Sequence, residues 1–472
     1  MIVMVSRATA VLAATMVLCG SLPDAGAAEP AKHDEAAIVA ESRAIVDAYT
    51  RLGWFSGSVL VAADGEPILE LAVGLADRQL GRPNRVDTRF NLGSIIKHYT
   101  AVLVLQQVES GAISLDDRLM RFELGFPPET GARITVRHLL HHTSGLPDIF
   151  TAEYRENPLG FRTIAEKLAL LRHAALLFEP GSERRYSNYG YVVLGAILEQ
   201  VTGKPFAALL QERIFDPLRL EDSIYPYRAD PERQSLRYTF SHAGEHVLVG
   251  VTEHHGPDGG IEATTADVLA FYRALFHGDE LLARDGAAIR EYFAIDGDYW
   301  SAFGGGAGVS SAVELDLDNK YEVVVLANTD QLVAEEISGR ILSFIRSGGY
   351  APVMLPPQVH AWRAYQAMGP VAFAERFRDH YAAAGYKQFV GRTINELGMS
   401  LLEAEQWDDA LTLFRTLAGW FPDAPQVYDS LAYAFWRRGD VERAQQTFRE
   451  ARELQPGFQS DYSATDYGLD GS

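Results

Sequence analysis

The chain has 472 residues, which is more than one hydrophobic core usually holds and predicts two or three domains. Hydrophobic residues make up 47% and charged residues 22% of the sequence, values typical of a soluble globular protein. The formal net charge of −21 argues against nucleic acid and anionic membranes as partners, because phosphate binding requires clustered Lys and Arg side chains.

Residues 1–28 have the features of a cleaved signal peptide. A positive charge precedes the apolar run from Ala8 to Gly20, which is too short to span a bilayer, and Ala25 to Ala28 offer small residues for cleavage. Cys19 is the single cysteine and would leave with this segment, so the mature chain would have no disulfide. A lipid anchor at Cys19 is the alternative, which the bulky Leu18 disfavours. We expect a periplasmic or secreted protein without a transmembrane anchor.

Two β-hairpins lie far apart in the sequence. Residues 56–62 and 67–73 are β-rich runs joined through Asp64-Gly65, and residues 309–315 and 321–327 form a second such pair. Most of the sequence between the hairpins reads as helix or loop. We therefore expect an α+β fold, in which one antiparallel sheet is built from both ends of a domain spanning 29–350. Helices would flank this sheet, and a helical subdomain would be inserted between the two hairpins.

The character of the chain changes near residue 350. Pro352, Pro356 and Pro357 mark a linker, and helical patterns continue to about Leu454. Similar residues recur 34 positions apart, which is the tetratricopeptide period: Leu397 and Leu431, Ala410 and Ala444, Phe414 and Phe448, Pro422 and Pro456. We expect an all-α domain with a linker and capping helices at 351–390, tetratricopeptide-like repeats at 391–458 and a disordered, polar tail at 459–472.

Ser94 and Lys97 are a candidate nucleophile and base. If residues 94–110 form a helix, the two side chains lie at i and i+3 on one face, within reach of each other. The lysine amine could take the proton of the serine hydroxyl, and the backbone N–H of Ser94 at the helix start could bind an oxyanion. Ser-x-x-Lys is a short pattern, and an ordinary helix face is the alternative interpretation.

Tyr186 and Asn188 form a second candidate pair. They lie in the segment 185–190, just before an amphipathic run from Tyr191 to Val201. A Tyr-x-Asn loop can present a phenol and an amide to one pocket. A solvated loop ahead of a helix is the alternative.

Together with three longer motifs, these residues resemble the serine β-lactamase and penicillin-binding-protein superfamily, in particular its class C-like branch of esterases, D-aminopeptidases and carboxypeptidases. The resemblance runs from about Tyr49 to Gly348. It rests on ordered motifs at family spacing: the loop Val136–Pro147, which matches LLxHTSGLP; Pro180–Pro205, with Tyr186-Ser187-Asn188 and the helix behind it; and Gly259–Asp267, which is similar to GGxxST-x-D.

The resemblance implies an acyl-enzyme hydrolase that needs no metal and no cofactor. Ser94 would attack a carbonyl, and Lys97 would accept or relay its proton. Tyr186 would exchange the proton with the leaving group and later activate water, while Asn188 would hold Lys97 and the substrate amide. The substrate would be a small ester, amide or peptide. The repeats would bind a protein partner or mediate self-association.

The third motif of the family is where the sequence departs. Phe303 stands where a Lys or His is expected, although Gly304, Gly305 and Gly306 still suit a strand that approaches the substrate closely. The N–H of Gly306 would complete the oxyanion hole. A phenyl ring cannot pair with a substrate carboxylate, so penicillins and D-alanyl peptides would lose an anchor. The alternative is therefore a catalytically impaired pseudoenzyme that binds ligands or acts as a scaffold.

Overall fold

The computed structural model describes residues 34–225, 230–241, 243–295, 297–462 and 467–468. The signal peptide predicted at 1–28 lies outside the described residues. Apart from these gaps, the chain forms two compact units, one of residues 34–240 with 246–353 and one of residues 354–468 with 241–245.

The first unit contains an antiparallel sheet that joins its two ends. Its strands are β1 (Gly57–Ala63), β2 (Glu66–Val73), β3 (Leu75–Asp77), β4 (Arg82–Pro83), β5 (Phe90–Asn91), β6 (Arg237–Phe240), β7 (His246–Val249), β8 (Glu262–Ala263), β9 (Tyr299–Gly306), β10 (Val309–Asp316) and β11 (Tyr321–Ala327). The main sheet has the order β2-β1-β11-β10-β9. Val59 of β1 lies between Leu71 of β2 and Val325 of β11. The predicted sheet is thus confirmed, and β9 extends it.

Helices surround this sheet and fill the chain between β2 and β9. They are α1 (Glu35–Arg51), α2 (Ile96–Glu109), α3 (Pro128–Gly131), α4 (Val136–Leu140), α5 (Ala152–Glu156), α6 (Ile164–Leu171), α7 (Asn188–Thr202), α8 (Phe206–Leu210), α9 (Asp216–Leu218), α10 (Thr265–His277), α11 (Ala287–Phe293) and α12 (Val333–Ser347). The helices α2 to α11 form the inserted subdomain that the sequence predicts.

The central strands are covered on both faces, because side chains alternate along a strand and both sets are buried. Leu60 of β1 and Leu326 of β11 belong to the core that also contains α2, α7 and α10. Val59 and Val325 point to the opposite face and are equally buried, and α12 packs against β10 and β11 there. Helix α2, which directly follows the candidate nucleophile Ser94, is therefore held inside this core.

The second unit is helical, with α13 (Pro357–Met368), α14 (Pro370–Ala383), α15 (Val390–Glu403), α16 (Trp407–Trp420), α17 (Pro425–Arg438) and α18 (Val441–Leu454). Its core contains three of the four predicted repeat pairs: Leu397 and Leu431, Ala410 and Ala444, and Phe414 and Phe448. The indole N–H of Trp420 donates to the carbonyl of Ala374 (2.7 Å), which ties α16 to α14. The predicted all-α domain is confirmed.

The tail that the sequence predicts to be disordered is described in part, at residues 459–462 and 467–468. Tyr467 has no exposed surface and belongs to the core of the second unit. Tyr467 therefore packs against this unit, whereas Gln459, Asp461 and Gly468 are exposed.

Within the described ranges, no single helix is long and apolar enough to cross a membrane. The bent pair of Asn188–Thr202 and Phe206–Leu218 meets the same test of length and composition when the two segments are joined.

Candidate active site

Ser94 lies in a 3₁₀ turn, Gly93–Ile95, directly ahead of α2, so the helix begins two residues later than the sequence predicts. Gly93 has a φ of +54°, and a Cβ at this position would lie 2.8 Å from the backbone nitrogen of Gly305. Its N–H donates to Asn91 Oδ1 (2.9 Å). Glycine at position 93 therefore allows the turn that carries Ser94 to lie directly against β9.

The four predicted polar residues meet at this turn. The Tyr186 hydroxyl donates to Ser94 Oγ (2.8 Å), and Lys97 Nζ donates to the same oxygen (3.1 Å). Lys97 Nζ also donates to Asn188 Oδ1 (2.8 Å). Lys97 is only 4% exposed, so this contact is shielded from water. Two motifs about ninety residues apart in sequence thus supply one cluster around the Ser94 hydroxyl.

The Lys97 ammonium has a third acceptor, the backbone carbonyl of Asp258. An ammonium group has three N–H donors, and Ser94, Asn188 and Asp258 match that number. Its nitrogen also lies over the ring of Tyr186, 5.0 Å from the centroid. These contacts fix the amine of Lys97 beside Ser94 Oγ.

His142 holds Tyr186 in place. Its ring stacks on that of Tyr186 with centroids 4.5 Å apart, and its Nδ1 accepts a hydrogen bond from the N–H of Ser187 (3.2 Å). Burial, together with the positive charges of Lys97 and Arg184, lowers the pKa of His142 to about 3. The imidazole is therefore neutral at ordinary pH and can act as this acceptor.

Asp148 orients Asn188 and was missed by the sequence analysis. Its Oδ1 accepts from the N–H of Asn188 (2.9 Å), and its Oδ2 accepts from Asn188 Nδ2 (3.1 Å). Burial raises the pKa of Asp148, and these hydrogen bonds oppose the shift. The amide oxygen of Asn188 is thereby turned toward Lys97, and one amide N–H is already used by the protein. The signal in the sequence was the carboxylate directly after Pro147.

A loop from His254 to Gly260 packs against α2. The Thr100 hydroxyl donates to the carbonyl of Pro257 (2.7 Å). Lys167 Nζ donates to the carbonyl of His254 (2.9 Å) and lies 3.7 Å from Asp258 Oδ1. Neither Lys167 nor Asp258 was a candidate in the sequence, because one contact uses a backbone carbonyl and the two residues come from distant segments.

Strand β9 forms the wall beside Ser94. A Cβ on Gly304 would lie 2.0 Å from the carbonyl oxygen of Leu92, so only glycine allows this approach. The Ser311 hydroxyl of the neighbouring strand donates to the same carbonyl (2.8 Å). Phe303 precedes Gly304 on this strand and is 45% exposed. The part of Gly306 in an oxyanion hole stays a prediction.

The arrangement suits nucleophilic attack by a serine. The Ser94 oxygen lies within hydrogen-bond distance of an amine and a phenol, so either group can exchange its proton as a carbonyl is attacked. In the described part of the chain, no group of three or more His, Cys, Asp or Glu side chains is arranged to hold a metal ion.

Comparison with known proteins identifies the family of this chain. Residues 43–344 match the family model Beta-lactamase, and residues 395–457 match a model of the tetratricopeptide repeat. The chain is 35% identical over 220 residues to Esterase EstB of Burkholderia gladioli, covering 43% of this chain and 56% of that protein. It is 30% identical over 242 residues to Penicillin-binding protein 4* of Bacillus subtilis, covering 48% and 53%. The chain thus spans about half the length of each relative.

The fold is also found in solved structures. A penicillin-binding protein from Bacillus halodurans superposes with a TM-score of 0.56 at 25% identity, covering 64% of this chain and 99% of that one. The family match extends over well more than half of the sequence and includes Ser94 and the three predicted polar residues around it. The chain belongs to the Beta-lactamase family, a superfamily of serine hydrolases, and carries a tetratricopeptide repeat after the family domain.

Proposed function

We propose that the protein is an exported serine hydrolase that forms an acyl-enzyme on Ser94. The observation that carries the proposal is the Ser94 hydroxyl, which lies 2.8 Å from the Tyr186 hydroxyl and 3.1 Å from Lys97 Nζ. Burying a charged lysine is costly, and uncharged side chains could hold the serine equally well. The lysine and tyrosine beside Ser94 therefore favour a chemical role over a structural one.

Catalysis would proceed in two stages. Lys97 acts in its neutral form and accepts the proton as Ser94 Oγ attacks the substrate carbonyl. The backbone N–H groups of Ser94 and Gly306 stabilise the developing oxyanion. Tyr186 passes a proton to the leaving group, which departs and leaves the acyl-enzyme. Tyr186 then takes a proton from water as the water attacks the ester on Ser94. The ester bond to Ser94 Oγ breaks, Lys97 returns its proton to this oxygen, and the acid leaves.

Phe303 favours a substrate that does not need a carboxylate for binding. The side chain is 45% exposed on β9, at the position where the family resemblance places a cation. An exposed phenyl ring can contact the apolar part of an acyl or alcohol group, and it carries no charge that would disfavour a neutral substrate. The similarity to an esterase fits this choice. We therefore propose small uncharged esters as the first substrates to test, with amides and D-amino peptides as weaker ones.

A second candidate is a binding protein that keeps the pocket without turnover. Phe303 favours it, because the family position that would carry a positive charge beside Tyr186 is occupied by a neutral ring. The repeats would then provide the protein's main activity.

The two candidates are separated by labelling with a fluorophosphonate probe and by hydrolysis of an activated ester. We expect a covalent adduct and a burst of product in the wild type, both lost in Ser94→Ala. Ser110→Ala, at the end of α2, changes an exposed serine on the same helix and should leave both signals unchanged. A folded wild type without an adduct or a burst would rule out the enzyme and leave the binding protein.

Export is proposed from the composition of residues 1–28. Expression in a bacterial host with fractionation and N-terminal sequencing would test it. We expect a processed protein outside the cytoplasm that begins near Glu29. An intact N-terminus on a cytoplasmic product would contradict export.

The repeats are proposed to bind a protein partner. If the chain shortened after Gly349 keeps both its hydrolysis and its oligomeric state, the helical unit serves an external partner. A change in the oligomeric state would instead indicate self-association.

A further inference from the structure

The end of the chain lies on one face of the second unit, which we call the tail face. It is formed by one residue of α15 and four of α17, namely Asn395, Asp429, Ser430, Tyr433 and Trp436. Two tyrosines of the tail, Tyr462 and Tyr467, contact this face with both their rings and their hydroxyl groups.

Tyr462 occupies the part of the tail face nearer to α15. Its hydroxyl accepts from Asn395 Nδ2 (3.2 Å) and shares a hydrogen bond with Ser430 Oγ (3.1 Å). Its ring stacks on Tyr433 with centroids 4.9 Å apart and an angle of 23° between planes. One side chain thus bridges the first helices of two successive repeats.

Tyr467 occupies the other part of the tail face. Its hydroxyl donates to Asp429 Oδ1 (2.8 Å), and the other carboxylate oxygen accepts from the backbone N–H of Asp461 (2.9 Å). Its ring contacts Trp436 and Phe448 at centroid distances of 5.9 and 5.0 Å. The buried carboxylate of Asp429 therefore binds a phenol and a backbone amide of the same segment.

Both the face and the tail are repetitive. Asn395 and Asp429 lie 34 positions apart, so they occupy equivalent positions in successive repeats. The tail carries two similar tripeptides, Ser-Asp-Tyr at 460–462 and Thr-Asp-Tyr at 465–467. Tyr462 thus contacts Asn395 of one repeat, and Tyr467 contacts Asp429 at the equivalent position of the next repeat.

We propose that the tail face is a binding site for a partner segment that carries two tyrosines five positions apart, and that the chain's own tail occupies the site as an intramolecular competitor. This inference names the partner chemistry for the interaction role proposed for the repeats, and it does not depend on hydrolysis at Ser94. The partner binds when its segment displaces the tail.

The contacts favour tyrosine over phenylalanine and over phosphotyrosine. Removal of the hydroxyl would take one donor from the buried carboxylate of Asp429, which weakens binding. A phosphate would meet the Asp429 carboxylate and be repelled. The site therefore selects an unmodified phenol.

The test uses a fluorescent peptide with the sequence of residues 459–472 and the chain ending at Phe458. We expect saturable binding to this shortened chain and at least about tenfold weaker apparent binding to the full-length chain, because a tethered tail competes at a high effective concentration. A peptide with both tyrosines replaced by phenylalanine should bind about tenfold more weakly. The full-length Tyr467→Ala variant should bind the labelled peptide more tightly than the wild type.

Asn395→Ala in the shortened chain should weaken peptide binding severalfold, while Ser400→Ala, an exposed position of the same helix, should not. The shortened chain must retain its helical circular dichroism. Absence of saturable binding to a folded shortened chain would overturn the proposal, and so would unfolding of the helical unit on removal of the tail, because the tail would then be a structural part. Ester hydrolysis, measured on the same samples, reports separately on Ser94.

Discussion

Lys167 Nζ lies 3.7 Å from Asp258 Oδ1, and both residues are more than nine-tenths buried. Lys167 also holds the carbonyl of His254, while the carbonyl of Asp258 accepts from Lys97. Asp258 Oδ1 accepts no hydrogen bond among the described residues, so the charge of Lys167 is what compensates its burial. The pair thus stabilises the loop that positions Lys97.

Lys167→Met should destabilise the protein and lower its turnover. A buried carboxylate left without its counter-charge costs about 3–5 kcal/mol, which urea unfolding would measure. In the folded fraction, kcat should fall while KM changes less, because the carbonyl of Asp258 that accepts from Lys97 would shift.

The matched control is Lys204→Met, which breaks the exposed pair with Glu212 and should cost less than about 1 kcal/mol. The double variant Lys167→Met/Asp258→Asn should regain much of the lost stability, because no uncompensated charge remains. Equal effects of Lys167→Met and Lys204→Met would show that the buried pair has no special role.

Phe303→His should raise turnover. A histidine on β9 would add a titratable cation beside the site, at an exposed position that accepts a polar side chain without a burial cost. We expect kcat for an activated ester to rise about tenfold or more, at the lower end of what a positioned acid or base contributes. Esters that carry a free carboxylate should also gain in kcat/KM.

The control for Phe303→His is Phe389→His, which changes an exposed phenylalanine of the second unit. If rates with Phe303→His equal those of the wild type on both kinds of ester, the phenyl ring does not limit catalysis, and the explanation given for it is wrong.

The cluster around Ser94 could be predicted because each residue stands in a motif with fixed spacing. Ser94 with Lys97, and Tyr186 with Asn188, each lie within four positions, and the fold brings the two pairs together. The hairpins were predictable for the same local reason, since their strands are adjacent in sequence and carry alternating or continuous apolar residues.

Asp148, Lys167 and Asp258 could not be predicted with the same means. Their contacts join distant segments or end on backbone carbonyls. None of the three was assigned a role within a motif, although the place of Asp148 directly after Pro147 was a signal. The tail shows a different limit. Its polar composition predicts disorder, but Tyr467 is buried and its hydroxyl binds one specific carboxylate. A prediction from average composition cannot detect a single contact of this kind.

Glu262→Gln should change how stability depends on pH. Burial raises the pKa of Glu262 to about 7, and the hydrogen bonds from Gln234 Nε2 to its two oxygens (2.8 and 2.7 Å) oppose the shift. The folded state therefore holds this proton more tightly than the unfolded state, whose glutamate titrates near its ordinary pKa of about 4.5. The contribution of this group to stability is present below that value and is lost as the pH rises through 7.

The variant lacks this titration, so it should gain stability relative to the wild type between pH 5 and pH 8, by up to about 3 kcal/mol. Denaturant unfolding at several pH values would measure the difference. Glu66→Gln, at the exposed start of β2, provides the control. Its free energy of unfolding should depend on pH in the same way as that of the wild type. A constant difference for Glu262→Gln across this range would show that the carboxyl ionises alike in both states.

Two glycines of the helical unit should respond in opposite directions to alanine. A Cβ on Gly398 of α15 would lie 2.6 Å from the ring of Phe414, which is fully buried and cannot move aside, so overpacking should destabilise the unit by about 1–3 kcal/mol. Gly419 of α16 has open space at its Cβ position, and alanine there should stabilise the helix by up to about 1 kcal/mol. Thermal unfolding followed by circular dichroism would detect both changes, and ester hydrolysis by the first unit should be the same in the two variants. Stabilisation by both alanines would mean that helix propensity outweighs the packing of α15 on α16.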